Sequence, residues 1–131
     1  MELRSVEELM DLLYACPHAA ALRTAALLRR SRPADKELQV AGLVHDIGQL
    51  LCPGDDIRRT EHAAEAVRPL LGERVHRLVR RRDPGTDEDA LRLRLAIEES
   101  RAAGFDAGVL EDWRTVLELV AARNSRLGAV D

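Results

Sequence analysis

The chain has 131 residues, 46% apolar but only 2% aromatic, and a net charge of −3. That length suits one domain, 1–131, with a core of Leu, Ala and Val, a mixture that favours helix over strand. The negative balance argues against nucleic acid as a partner, and nineteen arginines beside one lysine read as codon usage in a GC-rich genome.

Ser5-Val6-Glu7-Glu8 is a capping box and predicts a first helix running to Ala15. Pro17 opens a second helix to Arg30, with Leu22, Ala25, Ala26 and Leu28 as its buried stripe; Ser31-Arg32-Pro33 ends it. Asp35 caps a third, which should stop near Asp46 because Gly48 and Cys52-Pro53-Gly54 follow. A fourth helix is expected from Asp56 to Leu71 and a fifth from Glu73 to Arg82, with Asp83-Pro84-Gly85 as a loop. A sixth spans Asp87 to Ala103, where Gly104 ends it, and a last one Ala107 to Arg123. No segment alternates with period two over strand length, so the expected fold class is all-α, a single bundle of about six or seven helices.

The opening MELRSVEELMDLL holds acids and no long apolar run, which predicts neither a signal peptide nor a membrane span. Cys16 and Cys52 lie 36 residues apart in no CxxC pattern and read as reduced thiols, so the expected location is cytoplasmic. Ser5, Ser31, Ser100 and Ser125 sit in no nucleophile-elbow context, and the eight glycines are too scattered for a phosphate loop. His76, among Arg74, Arg77 and Arg80, reads as part of a solvated helix face. His18 reads as a cap at a helix start, and Trp113 as core or half-buried interface.

One stretch stands apart. In AGLVHDIGQLL the pair His45-Asp46 sits at the end of a small apolar helix, just before the chain breaks. An imidazole and a carboxylate at a turning helix end offer nitrogen and oxygen donors together, which suits a divalent transition metal.

The string resembles the HD-domain superfamily, whose members carry His … His-Asp … Asp on a helical bundle. Beyond the motif, the chain looks most like the small HD branch that includes mixed-valent diiron oxygenases acting on aminophosphonates, related in fold to inositol oxygenase. The resemblance spans Ala20 to Val120, most strongly in ALRTAALLRRSRPADKELQVAGLVHDIGQLL and AEAVRPLLGERVHRLVRRR, and more weakly in FDAGVLEDWRTV. It implies an HD-domain-like bundle in which metals bridge carboxylates or activate water, for phosphoester hydrolysis or oxygen insertion.

Residue by residue, the resemblance keeps His45 and Asp46 as metal ligands. The first family histidine falls at Ala20 or Ala21, with His18 nearby. Arg59 stands where the fourth-helix histidine would be, with His62 one turn on. Arg82 stands at the fifth-helix ligand, and Arg114 follows Trp113 where the closing aspartate is expected, with Asp112 before it. Arginine at three ligand positions could replace lost metal charge beside Asp46, because a buried carboxylate needs a partner.

Three roles follow from the resemblance. In the first, the chain is a degenerate, non-catalytic HD module without cofactor, binding an anionic small molecule through Arg59, Arg82 and Arg114 or serving a protein partner. In the second, it is an active phosphohydrolase or diiron oxygenase that holds Fe, Mn or Zn on His45, Asp46 and His62, with His18 or Asp112. In the third, it is a structural subunit that dimerises with a catalytic partner through an apolar helix face; a protein partner or a homodimer is expected among its pairings.

Overall fold

The computed structural model of the chain describes residues 2–51, 54, 58–80, 87–102 and 104–129, the last four as backbone only. The fold is an all-α bundle. Among the described residues there are seven helices of eight or more residues, a four-residue helical turn and a 3-10 turn, and no strand. None of these helices is long and apolar enough to cross a membrane.

Helix α1 (Val6–Ala15) starts where the capping box sets it. The Ser5 side chain accepts from Glu8 N at 3.2 Å, and Glu8 Oε1 accepts from Arg4 N at 3.0 Å, one residue upstream of the usual reciprocal donor. Helix α2 (Ala19–Ser31) follows. His18 occupies its N-cap position without a side-chain cap bond. Its Nδ1 lies 3.1 Å from Leu13 O and 3.0 Å from Cys16 O, so the imidazole closes the end of α1 and does not open α2.

Helix α3 (Lys36–Val44) is the central rod. Asp35 caps it, accepting from Leu38 N at 3.1 Å, and every residue from Leu38 to Val44 is buried. A helix buried on every side from Leu38 on lies inside the protein, and α3 packs against α2, α7 (Glu88–Ala102), α6 (Glu73–Arg80) and α8 (Arg114–Ala129). Gly42 allows the α2 contact: a Cβ there would come within 2.7 Å of Leu28 Cδ1. Gln39, fully buried, donates from Nε2 to Arg32 O and Pro33 O and fixes the α2–α3 connection.

The chain does not simply break after Asp46. Gly48 begins a helical turn, α4 (Gly48–Leu51), and α5 (Arg59–Leu71) follows; the expected start at Asp56 lies outside the described residues, as does Cys52. The end of α5 carries Pro69, and Asn124 of α8 donates to Pro69 O and Leu70 O there. The predicted loop at 83–85 also lies outside the described residues.

The last helix begins later than expected. Asp106 accepts from Gly108 N at 2.9 Å and Gly108 takes φ +86, a turn that competes with helix. The 3-10 turn Leu110–Trp113 then leads into α8. Trp113 is buried, with the Arg29 guanidinium of α2 stacked 4.9 Å from its ring centroid.

The face of α6 contains two departures from expectation. His76 is buried, not solvated: it shares the inward side with Val75, Leu78 and Val79, and its Nε2 lies 3.0 Å from Glu65 Oε1. Arg74 is a junction. It forks onto Asp35 at 2.6 and 2.7 Å and reaches Asp89 at 3.1 Å and Glu37 at 3.3 Å; Asp89 also takes Arg32 at 3.2 Å. One guanidinium thus ties α6 to the starts of α3 and α7.

Candidate functional site

The central helix delivers His45 and Asp46 to the rim of a cleft of about 640 Å3. Its floor is apolar, formed by Leu78 and Val79 of α6 and Leu93 and Ile97 of α7, and Ala20 of α2 closes one edge. Its charges are Arg59 at the start of α5, Arg94, Glu98 and Arg101 of α7, and Asp46.

His45 is half-buried, and its Nδ1 stands 2.6 Å from Gly42 O. A carbonyl only accepts, so Nδ1 carries the proton and Nε2 is left as the acceptor nitrogen. Burial pushes the imidazole pKa below its ordinary value. The Gly42 bond and the Asp46 charge pull it back up, and the Arg101 cation pushes it down further. The folded protein therefore binds fewer protons here than the unfolded chain. Stability from this ring is complete above the unfolded value of about 6.5 and declines as pH falls through the folded one. Nitrogen-detected NMR should find the Nδ1–H tautomer, with a titration midpoint below that of an exposed histidine. A ring charged at pH 7 would contradict this geometry.

Asp46 accepts from Gln49 Nε2 at 2.8 Å and lies 3.9 Å from Arg59 Nη1. The expected approach of Arg59 to the aspartate is present in the structure. Arg82 lies outside the described residues. Arg114 does not line the cleft; it bonds Glu111 Oε1 at 2.6 Å and also pairs with Glu7, which clamps α1 to the 3-10 turn. Glu111 holds Tyr14 Oη as well, at 2.8 Å. Those carboxylates keep the Arg114 pKa above its ordinary value.

The metal reading needs His62 beside the pair. His62 is half-buried on α5 but is not part of the cleft wall, and Asp112 is exposed beside Gly108. Among the described residues no three His, Cys, Asp or Glu side chains converge as ligands. Among the described residues the donors at the cleft are His45 Nε2, the Asp46 carboxylate and Glu98, which pairs with Arg94; three guanidiniums surround them, and no step is derived through a metal.

Two of the arginines went unnoticed in the sequence. Arg94, Glu98 and Arg101 recur at helical spacing on one side of α7 and look there like any solvated face. The structure turns that side to the cleft. Arg94 pairs with Glu98 at 3.3 Å, whereas among the described residues Arg101 has no carboxylate within ion-pair distance. Arg23 Nε donates to Ser100 O at 2.9 Å and holds the end of α7 that carries Arg101. Compared with family models, with curated proteins and with solved structures, the chain matches none.

Proposed function

We propose that the chain is a non-catalytic binding module, an HD-domain-like bundle whose cleft takes a small anionic molecule. The observation that carries this is the convergence of Arg59, Arg94 and Arg101 on one cleft beside His45 and Asp46, with no carboxylate among the described residues at ion-pair distance from Arg101. Two of the cations already face acids, Arg59 at Asp46 and Arg94 at Glu98, so Arg101 is the charge a ligand would neutralise. The first residues of α5, Arg59 and Thr60, line the cleft, which puts the positive end of that helix beside it. The apolar floor suits a ligand with a short hydrocarbon body joined to a phosphoryl, phosphonyl or carboxylate head. A guanidinium fork matches any of these heads.

Isothermal titration with inorganic phosphate and with propylphosphonate tests it. Saturable binding is expected, weakened at least about tenfold by Arg101→Ala, the loss of one charge-assisted hydrogen bond, and partly recovered by Arg101→Lys. No saturable binding of either probe at millimolar concentration would sink the proposal. A metal-dependent phosphohydrolase or oxygenase would instead depend on His45 and Asp46. Elemental analysis beside a His45→Ala/Asp46→Ala control separates the two: stoichiometric iron, manganese or zinc lost in the control would overturn the non-catalytic role.

A further inference from the structure

Helix α7 has three sides, and one of them is exposed among the described residues. Leu93, Ala96 and Ser100 face the core, and Arg94, Glu98 and Arg101 face the cleft. The third side carries Leu91 and Leu95 one turn apart, at 44% and 48% exposure, with the small Ala102 further along and Glu98, paired with Arg94, on its border with the cleft side. Amphipathic surface helices put polar residues there. A shallow groove of about 380 Å3 runs beside the leucines, with Leu27 and Arg30 of α2 on its far wall, the Arg30 guanidinium stacked on Phe105, and Arg92 and Glu99 along its near edge.

The two charges on α7 decide what fits. Arg92 and Glu99 are both exposed, and among the described residues neither side chain has an ion-pair or hydrogen-bond partner. They share a flank of α7 but stand two turns apart, about 10 Å along the axis, too far to meet each other. Leu95 lies between them along the axis, and Leu91 comes just before Arg92.

We propose that this face of α7 is the contact between two copies of the chain, packed antiparallel about a two-fold axis beside Leu95. Such a contact must be self-complementary. The rotation reverses the helix direction and keeps each flank on its own side. It therefore sets Arg92 opposite Glu99 of the second copy, and Glu99 opposite Arg92 of that copy. Leu95 meets its own counterpart, and Leu91 lies over the turn that ends in the small Ala102. A parallel arrangement would carry the flank of the second copy to the opposite edge, so that Arg92 and Glu99 would not meet across the contact. One helix face lies at the low end of specific interfaces, below about 1,200 Å2, so the pair is a reversible dimer of micromolar affinity. The contact does not depend on what the cleft binds.

Sedimentation velocity on the full chain over a concentration series tests it. A monomer–dimer equilibrium is expected. Leu95→Glu, on an exposed site that leaves the fold intact by circular dichroism, should weaken it by about a hundredfold. Arg92→Glu or Glu99→Arg alone should weaken it about tenfold, because each creates two like-charge contacts, and the double exchange should restore it to within about threefold. A chain that stays monomeric up to about 1 mM would overturn the proposal and leave the face to an unlike partner. A dimer indifferent to Leu95→Glu would overturn it as well, as would a double exchange no better than the single ones.

Discussion

Arg74→Ala is expected to lower the unfolding free energy by about 2–3 kcal/mol, less than a fully buried pair would cost because these side chains keep some solvent contact. For a domain of this size that is a fall in Tm of about 6–12 °C. Arg74 forks onto Asp35, at 27% and 21% side-chain exposure, and also reaches Glu37 and Asp89. Its removal leaves three carboxylates facing one another and unties α6 from the starts of α3 and α7. Arg74→Lys should recover only part, because an ammonium cannot reproduce the fork.

The same contact fixes a pH dependence. The Arg74 guanidinium, helped by the Leu38 amide, holds the Asp35 carboxyl below the usual range against the opposing effect of burial. A depressed folded pKa means stability that is complete above the unfolded value of about 3.9 and lost as pH falls through the folded one. The difference between wild type and Arg74→Ala should therefore be widest near neutrality and shrink at acid pH. Urea unfolding at pH 7 and pH 3 measures both. A cost at pH 7 below about 1 kcal/mol, the range of an exposed pair, would show that the junction contributes nothing special.

Gly48→Ala is expected to cost about 2–3 kcal/mol, at the upper end for adding a methyl to a packed site. A Cβ on Gly48 would fall 2.1 Å from the Arg59 carbonyl oxygen and 2.9 Å from its carbonyl carbon. Both obstacles are backbone, so no side chain can rotate away and α4 must part from α5. That movement would carry Arg59 off Asp46, so phosphate affinity should fall together with stability. The variant thus couples two readouts, urea unfolding and titration. Wild-type values for both would mean that the α4–α5 connection spreads at no cost.

What could be read in the sequence was mostly local. Ser5 and Asp35 announce their helices because a cap is a bond between residues three apart. The late start of α8 was missed because Asp106 and Gly108 form a turn that outcompetes the apolar periodicity around them. His76 sits on the same stripe as Val75 and Val79, so its position was legible; its residue type and its arginine neighbours misled. The Arg74 junction joins residues 15 to 39 positions apart in sequence, and no spacing rule reaches that far. The candidate site divides the same way. His45, Asp46 and Arg59 could be placed from the motif and its register. Arg94 and Arg101 could not, because which side of α7 faces a cleft depends on how α7 lies against α2, α3 and α6. Arg114 was expected to look inward, but the acids Glu7 and Glu111 hold it on the outside.

The lone indole of the chain, Trp113, lies in the core under the Arg29 guanidinium, whereas Tyr14 is exposed on α1. Intrinsic fluorescence excited at the red edge therefore originates at one place, the junction of α2 with the entry to α8. Circular dichroism, by contrast, averages over every helix. The two signals are independent witnesses of unfolding: superimposed curves would establish that the bundle melts as one unit, and a fluorescence change that precedes the loss of helix would identify the α2–α8 junction as the part that opens first.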